Sequence, residues 1–311
     1  MDYNVLGKTG LRVSVMGLGC GGHSRLGLSR GLGHDHAVSI VSHAIELGVN
    51  LIDTAEGYGT EPAVGDAIKG LNRDEIVIST KVPPATDGHL LTAEEFKKRA
   101  DGCLTRLGVD YVDLLHVHGV NPSQYPHTRD TIYPALQELR AEGKIRFTAL
   151  SEIFGQDPGH ATLQTAVSDG WDVLMVGFNI LNQSARDRVL KQTKTLGVGT
   201  LDMFAVRRAL STPEELSRLV ADLKRQDLLD ESVDVDNPLG FLLQDGVAAS
   251  IPEAAYRFCR YEAGIDVVLS GTSSMDHLEQ NVKSLLMPPL PDWAVERLRT
   301  MFAAVDNVSG N

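Results

Sequence analysis

Side chains suited to proton transfer recur at the ends of short apolar runs in this chain. The stretch Asn50-Leu-Ile-Asp53-Thr-Ala-Glu-Gly-Tyr58-Gly-Thr-Glu61 reads as a buried strand ending in a carboxylate. Behind it a Gly-Tyr-Gly turn presents a phenol just before a helix begins. A Tyr works as a general acid near neutral pH when something lowers its pKa from about 10, and a nearby cation is the usual means. The next strand, Glu75-Ile-Val-Ile-Ser-Thr-Lys81, ends in such a cation, and the one after it, Tyr111-Val-Asp-Leu-Leu-His116-Val-His118, ends in a His. Taken singly, Asp53 reads as a strand-end cap, Lys81 as a surface ammonium, His118 as a satisfied core histidine and Tyr58 as a packed aromatic. Four such residues at the ends of successive strands favour chemistry at one rim.

These motifs resemble the aldo-keto reductase superfamily. The similarity lies in the Asp-Thr-Ala-x-x-Tyr-Gly-x-Glu pattern at Asp53 to Glu61, the Ser-Thr-Lys strand end at Lys81 and the Tyr-Val-Asp-Leu-x-x-x-His strand at His118. It extends over nearly the whole chain, from the Leu6-Gly-x-Thr-Gly-Leu11 opening to Gly271–Asn281. The resemblance implies hydride transfer between a nicotinamide cofactor and a carbonyl or alcohol. Tyr58 would protonate the carbonyl oxygen, Lys81 would stabilise the phenolate, Asp53 would hold Lys81 charged and oriented, and His118 would hydrogen-bond the carbonyl. No metal is required. His116 points the same way as His118 on a strand and would line the barrel interior below the site. Glu56 is expected to be solvated.

The cofactor residues also follow from the resemblance. Gly19, Cys20 and Gly21 open a glycine-rich loop at the expected cofactor mouth, where packing outweighs a redox role for Cys20. The family's Ser-Asn pair for the nicotinamide carboxamide is Ser151-Glu152 here, with Glu152 able only to accept, and Met175 stands where the family usually has Gln. Met203-Phe-Ala-Val-Arg-Arg208 replaces the usual seventh-strand motif. Phe204 would stack on the nicotinamide, and Arg207 or Arg208 would either meet the pyrophosphate or face solvent. In the adenosine-phosphate segment the candidates are Gly271, Thr272, Ser273, His277, Gln280 and Asn281, with backbone N–H groups suited to phosphate. Gly271 and His277 stand where many NADPH-specific members carry Lys and Arg. NADPH is the expected cofactor, with NADH as the alternative.

To bring these residues together the chain needs alternating strands and helices. Eight strand-helix repeats predict an α/β fold, a parallel (β/α)8 TIM barrel forming a single domain over 1–311. An N-terminal β-hairpin around Gly7-Lys8-Thr9-Gly10 precedes it, and in the resembling family such a hairpin closes the barrel bottom. An insertion at 207–240 follows the seventh strand, and a C-terminal helix is expected at about 292–302. Active sites in such barrels sit at the C-terminal strand ends.

The formal charge of -12 argues against nucleic acid and anionic membranes as partners. No apolar run approaches the roughly 20 residues of a membrane helix. With three widely spaced Cys and no basic apolar leader, a cytoplasmic location is expected. The mouth loops offer His23, Arg25, Arg30, His34, His89 and Tyr125, which favours a polar small-molecule carbonyl, such as a sugar or hydroxy-aldehyde. Two other readings compete: an NAD-dependent sugar 1-dehydrogenase, and a nicotinamide-binding sensor or auxiliary subunit with little turnover. Oligomeric state is not legible from the sequence.

Overall fold

Alternation of side chains along each strand builds two separate apolar layers. In the computed structural model, which describes residues 1–244 and 246–311, the chain begins with an antiparallel hairpin of β1 (Tyr3–Val5) and β2 (Arg12–Ser14). The barrel strands follow as β3 (Met16–Gly19), β4 (Leu51–Asp53), β5 (Val77–Val82), β8 (Val112–Val120), β9 (Ile145–Glu152), β10 (Val173–Gly177), β11 (Gly199–Met203) and β12 (Val267–Ser270). A small hairpin, β6 (Ala85–Thr86) and β7 (His89–Leu90), interrupts them after β5. The eight barrel strands close in the order β10-β11-β12-β3-β4-β5-β8-β9, each parallel to its neighbours.

Inside the barrel, Leu51, Val77, Leu114, Ala149, Val173, Met175, Leu201 and Val267 pack with Leu6, Leu11 and Val13 of the hairpin segment. That hairpin plugs the bottom as expected, and Lys8 N–H donates to Gly197 O at 2.6 Å. The odd-numbered members of β5 share this inward face, so Val77 and Ser79 lie below Lys81. The alternate residues, among them Ile52, Ile78, Leu115, Leu150, Leu174 and Val268, form the larger layer beneath the helices.

The helices are α1 (His34–Glu46), α2 (Glu61–Ile68), α3 (Ala93–Leu107), the one-turn α4 (Tyr125–His127), α5 (Tyr133–Ala141), α6 (Ala161–Ala166), α7 (Lys191–Leu196), α8 (Arg208–Ser211), α9 (Pro213–Arg225), α10 (Ile251–Arg260), α11 (Met275–Leu286) and α12 (Asp292–Met301). Thr92 starts α3 with a capping box, its hydroxyl accepting from Glu95 N–H while the Glu95 carboxylate accepts from Thr92 N–H, and Gly108 at φ 65° ends it. The insertion after the seventh barrel strand begins with α8 and α9, and α12 is the closing helix. Among the described residues, no helix is long and apolar enough to cross a membrane.

Candidate active site

The rim at the C-terminal ends of β4, β5 and β8 assembles the four residues. Parallel pairing sets Asp53 beside Ser79, and Lys81 beside His116. Lys81 is almost fully buried, and its Nζ donates to Asp53 Oδ2 at 2.6 Å and to Thr54 O at 2.7 Å. Ser79 Oγ donates to the other Asp53 oxygen at 2.7 Å. The carboxylate is thus satisfied on both sides, which a buried ion pair requires if it is not to be a net cost. Burial pulls the Lys81 ammonium down, but Asp53 more than offsets this and the group stays above its ordinary value, fully charged.

The turn Glu56–Tyr58 follows β4. Its loop is tied at the base by the Thr54 and Thr60 hydroxyls, 2.8 Å apart. The Tyr58 ring lies 5.1 Å from Lys81 Nζ, centroid to nitrogen, and its OH is 3.3 Å from His118 Nε2. Pairing of β8 with β9 is irregular between Val117 and Val120, and Gly119 takes φ 64°, a local bend that sets His118 edge-on to Tyr58. Burial, together with the Lys81 charge, pushes His118 down to about 3, so it is a neutral imidazole.

One electrostatic expectation is corrected here. Burial raises the Tyr58 phenol above its ordinary value, Lys81 pulls it back and Asp53 pushes it up. The net shift is upward because the ring is enclosed and the nearby ammonium is already neutralised by its carboxylate. Tyr58 is therefore a protonated donor throughout the neutral range. His116 is buried on the inward face, and neither ring nitrogen has a partner among the described residues.

Gly21 packs flat on the tyrosine: a Cβ there would stand 2.6 Å from the Tyr58 ring. Gly21→Ala is expected to displace the phenol and lower kcat by about 10- to 100-fold in a folded protein, checked by steady-state rates and circular dichroism. An unchanged kcat would show that the ring has room to spare.

The coenzyme candidates occupy the other side of the rim, at the ends of β9, β11, β12 and β3. Ser151 faces inward, and its hydroxyl makes only a long 3.3 Å bond to Glu152 O, leaving it available to an amide. Glu152 faces away. Its carboxylate accepts from Gly177 N–H at 2.8 Å and lies 2.9 Å from His160 Nδ1, all buried, with burial raising the Glu152 carboxyl. This corrects the expectation that Glu152 meets a carboxamide, because as the residue after inward-facing Ser151 it falls on the opposite face of the strand. Met175 and Met203 line the barrel interior.

Phe204 adopts φ 74°, unusual for a bulky residue. Its ring leans on Phe154 at 5.7 Å, with the Arg207 guanidinium 3.9 Å above it. Of the two arginines, Arg207 stays by the rim, where Nε donates to Asn311 Oδ1 at 2.7 Å, and Arg208 turns outward to Glu215. Residues 308–311 follow this edge, with Val308 O and Ser309 O accepting from Asn182 and Asn179. The sequence reading did not find that strap, since its partners lie far away along the chain.

At the phosphate end, a Cβ on Gly271 would stand 2.4 Å from Gly19 O, so the two strand ends touch through bare backbone. Thr272 Oγ1 accepts from Ser274 N–H, Ser273 is buried, and Ser274 caps α11 by accepting from His277 N–H. His277 and Gln280 are exposed. Asn281 donates to Ser270 Oγ at 2.9 Å, the oxygen that also meets Tyr256 OH. Cys20 is buried and its thiol is pushed up, chiefly by burial, which keeps it inert. These residues fit a nicotinamide coenzyme through the start of α11 and the inward-facing Ser151 hydroxyl, while the Phe204 ring is already covered on one face by Arg207.

Among the substrate candidates, His23 and Arg25 are exposed on the loop after β3, and His89 is exposed on the β6–β7 hairpin facing Glu95. Tyr125 is corrected. It is buried beneath the helices, donating to Asp169 at 2.7 Å and accepting from Trp171 Nε1, because α4 turns its ring into the outer apolar layer. Glu56 is also corrected: it is paired with Arg99 of α3. An open groove of about 640 Å³ between α2 and α3 includes Arg73 and Tyr111, which precede β5 and β8, and so lies at the opposite end of the barrel.

The fold and this constellation define a barrel oxidoreductase, and the comparisons agree. The model of the Aldo/keto reductase family matches residues 16–302, and the chain belongs to that family. It is 29% identical to L-galactose dehydrogenase of Arabidopsis thaliana, over 92% of this chain and 88% of that one. Against the NADH-specific methylglyoxal reductase of Escherichia coli (strain K12) the identity is 25%, over 90% and 92%. The holo form of an aldo-keto reductase from Bacillus halodurans superposes with a TM-score of 0.74 at 24% identity, covering 96% of each chain.

Proposed function

We propose that this chain interconverts a polar carbonyl, aldose-like in character, and its alcohol with a nicotinamide coenzyme, and that Tyr58 is the proton donor. The observation that carries this is the contact set Asp53–Lys81–Tyr58–His118, each member in bonding or charge range of the next. The coenzyme supplies the hydride. Tyr58 gives its proton to the substrate oxygen, and the buried Lys81 ammonium stabilises the phenolate that remains. Asp53 keeps Lys81 charged and aimed. Neutral His118 holds the same oxygen by a hydrogen bond and adds no charge of its own. An intact set of four argues against the sensor reading.

NADH is the coenzyme we assign, although the family resemblance put NADPH first. Residues 271–281 contain no Lys or Arg, and Asp276 and Glu279 flank His277 at the surface. A 2′-phosphate placed there would meet the Asp276 and Glu279 carboxylates with histidines alone to offset them, His277 in the segment and His43, which is paired with Glu279 at 2.9 Å. Similarity to an L-galactose dehydrogenase and to an NADH-specific reductase supports both the aldose reading and this coenzyme. The reaction direction that suits them is oxidation of a sugar with NAD+, run by the same groups in reverse.

Titration with each coenzyme and turnover of an aldose against an apolar ketone test this. The expected result is a lower Kd for NADH than for NADPH and a higher kcat/KM for the aldose. Tighter NADPH binding would reverse the coenzyme assignment, and preference for the ketone would reverse the substrate class.

A further inference from the structure

Two residues before Tyr58 stands Glu56, and three after it Glu61. Each meets an arginine of the same helix. Arg99 forms a two-pronged pair with Glu56, one prong being Nε to Oε2 at 3.1 Å, and Arg106 Nε donates to Glu61 Oε2 at 2.6 Å. Positions 99 and 106 are seven apart on α3 and so share a face, with buried Cys103 between them. Each pair also takes in a threonine from the strand that carries Lys81 or from the hairpin that follows it. Thr80 Oγ1 donates to Glu61 Oε1 at 2.6 Å, and Arg99 donates to Thr86 Oγ1. The Tyr58 turn is therefore held on both sides against the Lys81 strand, through α3.

The geometry points to Glu56 and Arg99 as a positioning pair for the proton donor, setting the height of the Tyr58 phenol over Lys81 and His118. This rests on the proposed role of Tyr58. The Tyr58 ring is held by packing on Gly21 and His118, but its OH has a single 3.3 Å side-chain partner and glycines flank it on both sides, so the height of the turn depends on what ties it to its neighbours. The Glu61 pair fixes the start of α2, but Gly59 intervenes between it and the ring. Glu56 lies in the same helical turn as Tyr58, so its pair with Arg99 ties that turn to α3 two residues before the phenol. Its side chain is 13% exposed and that of Arg99 29%, so water screens the pair only in part. A planar guanidinium that reaches a carboxylate with two nitrogens and a hydroxyl with a third fixes direction as well as distance.

The test compares Glu56→Gln, Arg99→Ala, Arg99→Lys and the swap Glu56→Arg with Arg99→Glu, beside Tyr58→Phe. Steady-state kcat and KM are read with NADH and an aldehyde, and coenzyme Kd by fluorescence. Glu56→Gln and Arg99→Ala are expected to lower kcat about 10- to 100-fold, the effect of a displaced reacting group, with coenzyme Kd and substrate KM little changed. Arg99→Lys restores part of kcat, because it keeps the charge and loses the fork, and the swap restores more than either single change. Unchanged kcat in Glu56→Gln and Arg99→Ala beside a Tyr58→Phe that is inactive overturns the positioning role and leaves the proton donor standing. Full activity in Tyr58→Phe overturns the proton donor itself. Parallel loss of coenzyme affinity in Glu56→Gln also overturns the inference, since the pair would then support the whole rim and not the phenol.

Discussion

Tyr58→Phe is expected to lower kcat by about 10²- to 10⁴-fold, the range for removing a positioned general acid, while coenzyme affinity stays at the wild-type value. The ring, its packing on Gly21 and its edge contact with His118 are all kept, and only the proton is removed. The direction of the Tyr58 shift adds a pH signature. Burial outweighs Lys81 and holds the phenol above its ordinary range, so the protonated form persists through neutral pH. Carbonyl reduction should then be level across neutrality and fall in the alkaline range as the donor ionises. Alcohol oxidation needs the phenolate as base and should rise over that same range. Rate profiles in both directions check this, and a Tyr58→Phe enzyme with wild-type kcat would remove Tyr58 from the mechanism.

Lys81→Met is expected to abolish turnover and also to destabilise the fold by about 3–5 kcal/mol, the cost of leaving one partner of a buried ion pair alone. Asp53 would keep only the Ser79 hydroxyl. The double variant Lys81→Met with Asp53→Leu removes both charges and should recover much of the stability with none of the activity. Urea unfolding and initial rates on the three proteins separate the two roles. If Lys81→Met unfolds at the same urea concentration as wild type, the pair is not enclosed as the Lys81–Asp53 contact and its burial require.

The barrel and its four rim residues were legible because each strand announces itself as a short β-branched run and each chemical group stands at a run's end. Asp53 and Lys81 are placed by the ends of their strands and Tyr58 by the glycines around it, whereas strand period leaves His116 and His118 on one face and the family resemblance selects His118. What stayed hidden depends on three dimensions. Glu152 looked available to a coenzyme, but whether it faces in or out depends on the inward register of Ser151, and its partner His160 sits in a loop at φ 61° that no short pattern signals. Tyr125 looked like a mouth residue because its loop follows a strand, yet the single turn of α4 folds the ring inward. Glu56 looked solvated because Arg99 is 43 residues away. The phenol's upward shift was missed for a related reason: a sequence displays the nearby cation but not the enclosure that competes with it.

The rim is divided. The proton-handling groups come from the adjacent strands β4, β5 and β8, and the coenzyme candidates from β9, β11, β12 and the loop after β3. The two arcs adjoin at β3–β4 and at β8–β9 and meet where Gly21 packs on the Tyr58 ring, so substitutions at that seam should couple, while those farther along in 271–281 should combine nearly independently with changes in the proton-handling set. A lineage carrying this barrel can therefore change which coenzyme it draws on by altering one arc while inheriting its chemistry unaltered in the other. The 271–281 segment, which carries Asp276 and Glu279 and no Lys or Arg, is the part of the rim where such a change needs no alteration of Asp53, Tyr58, Lys81 or His118.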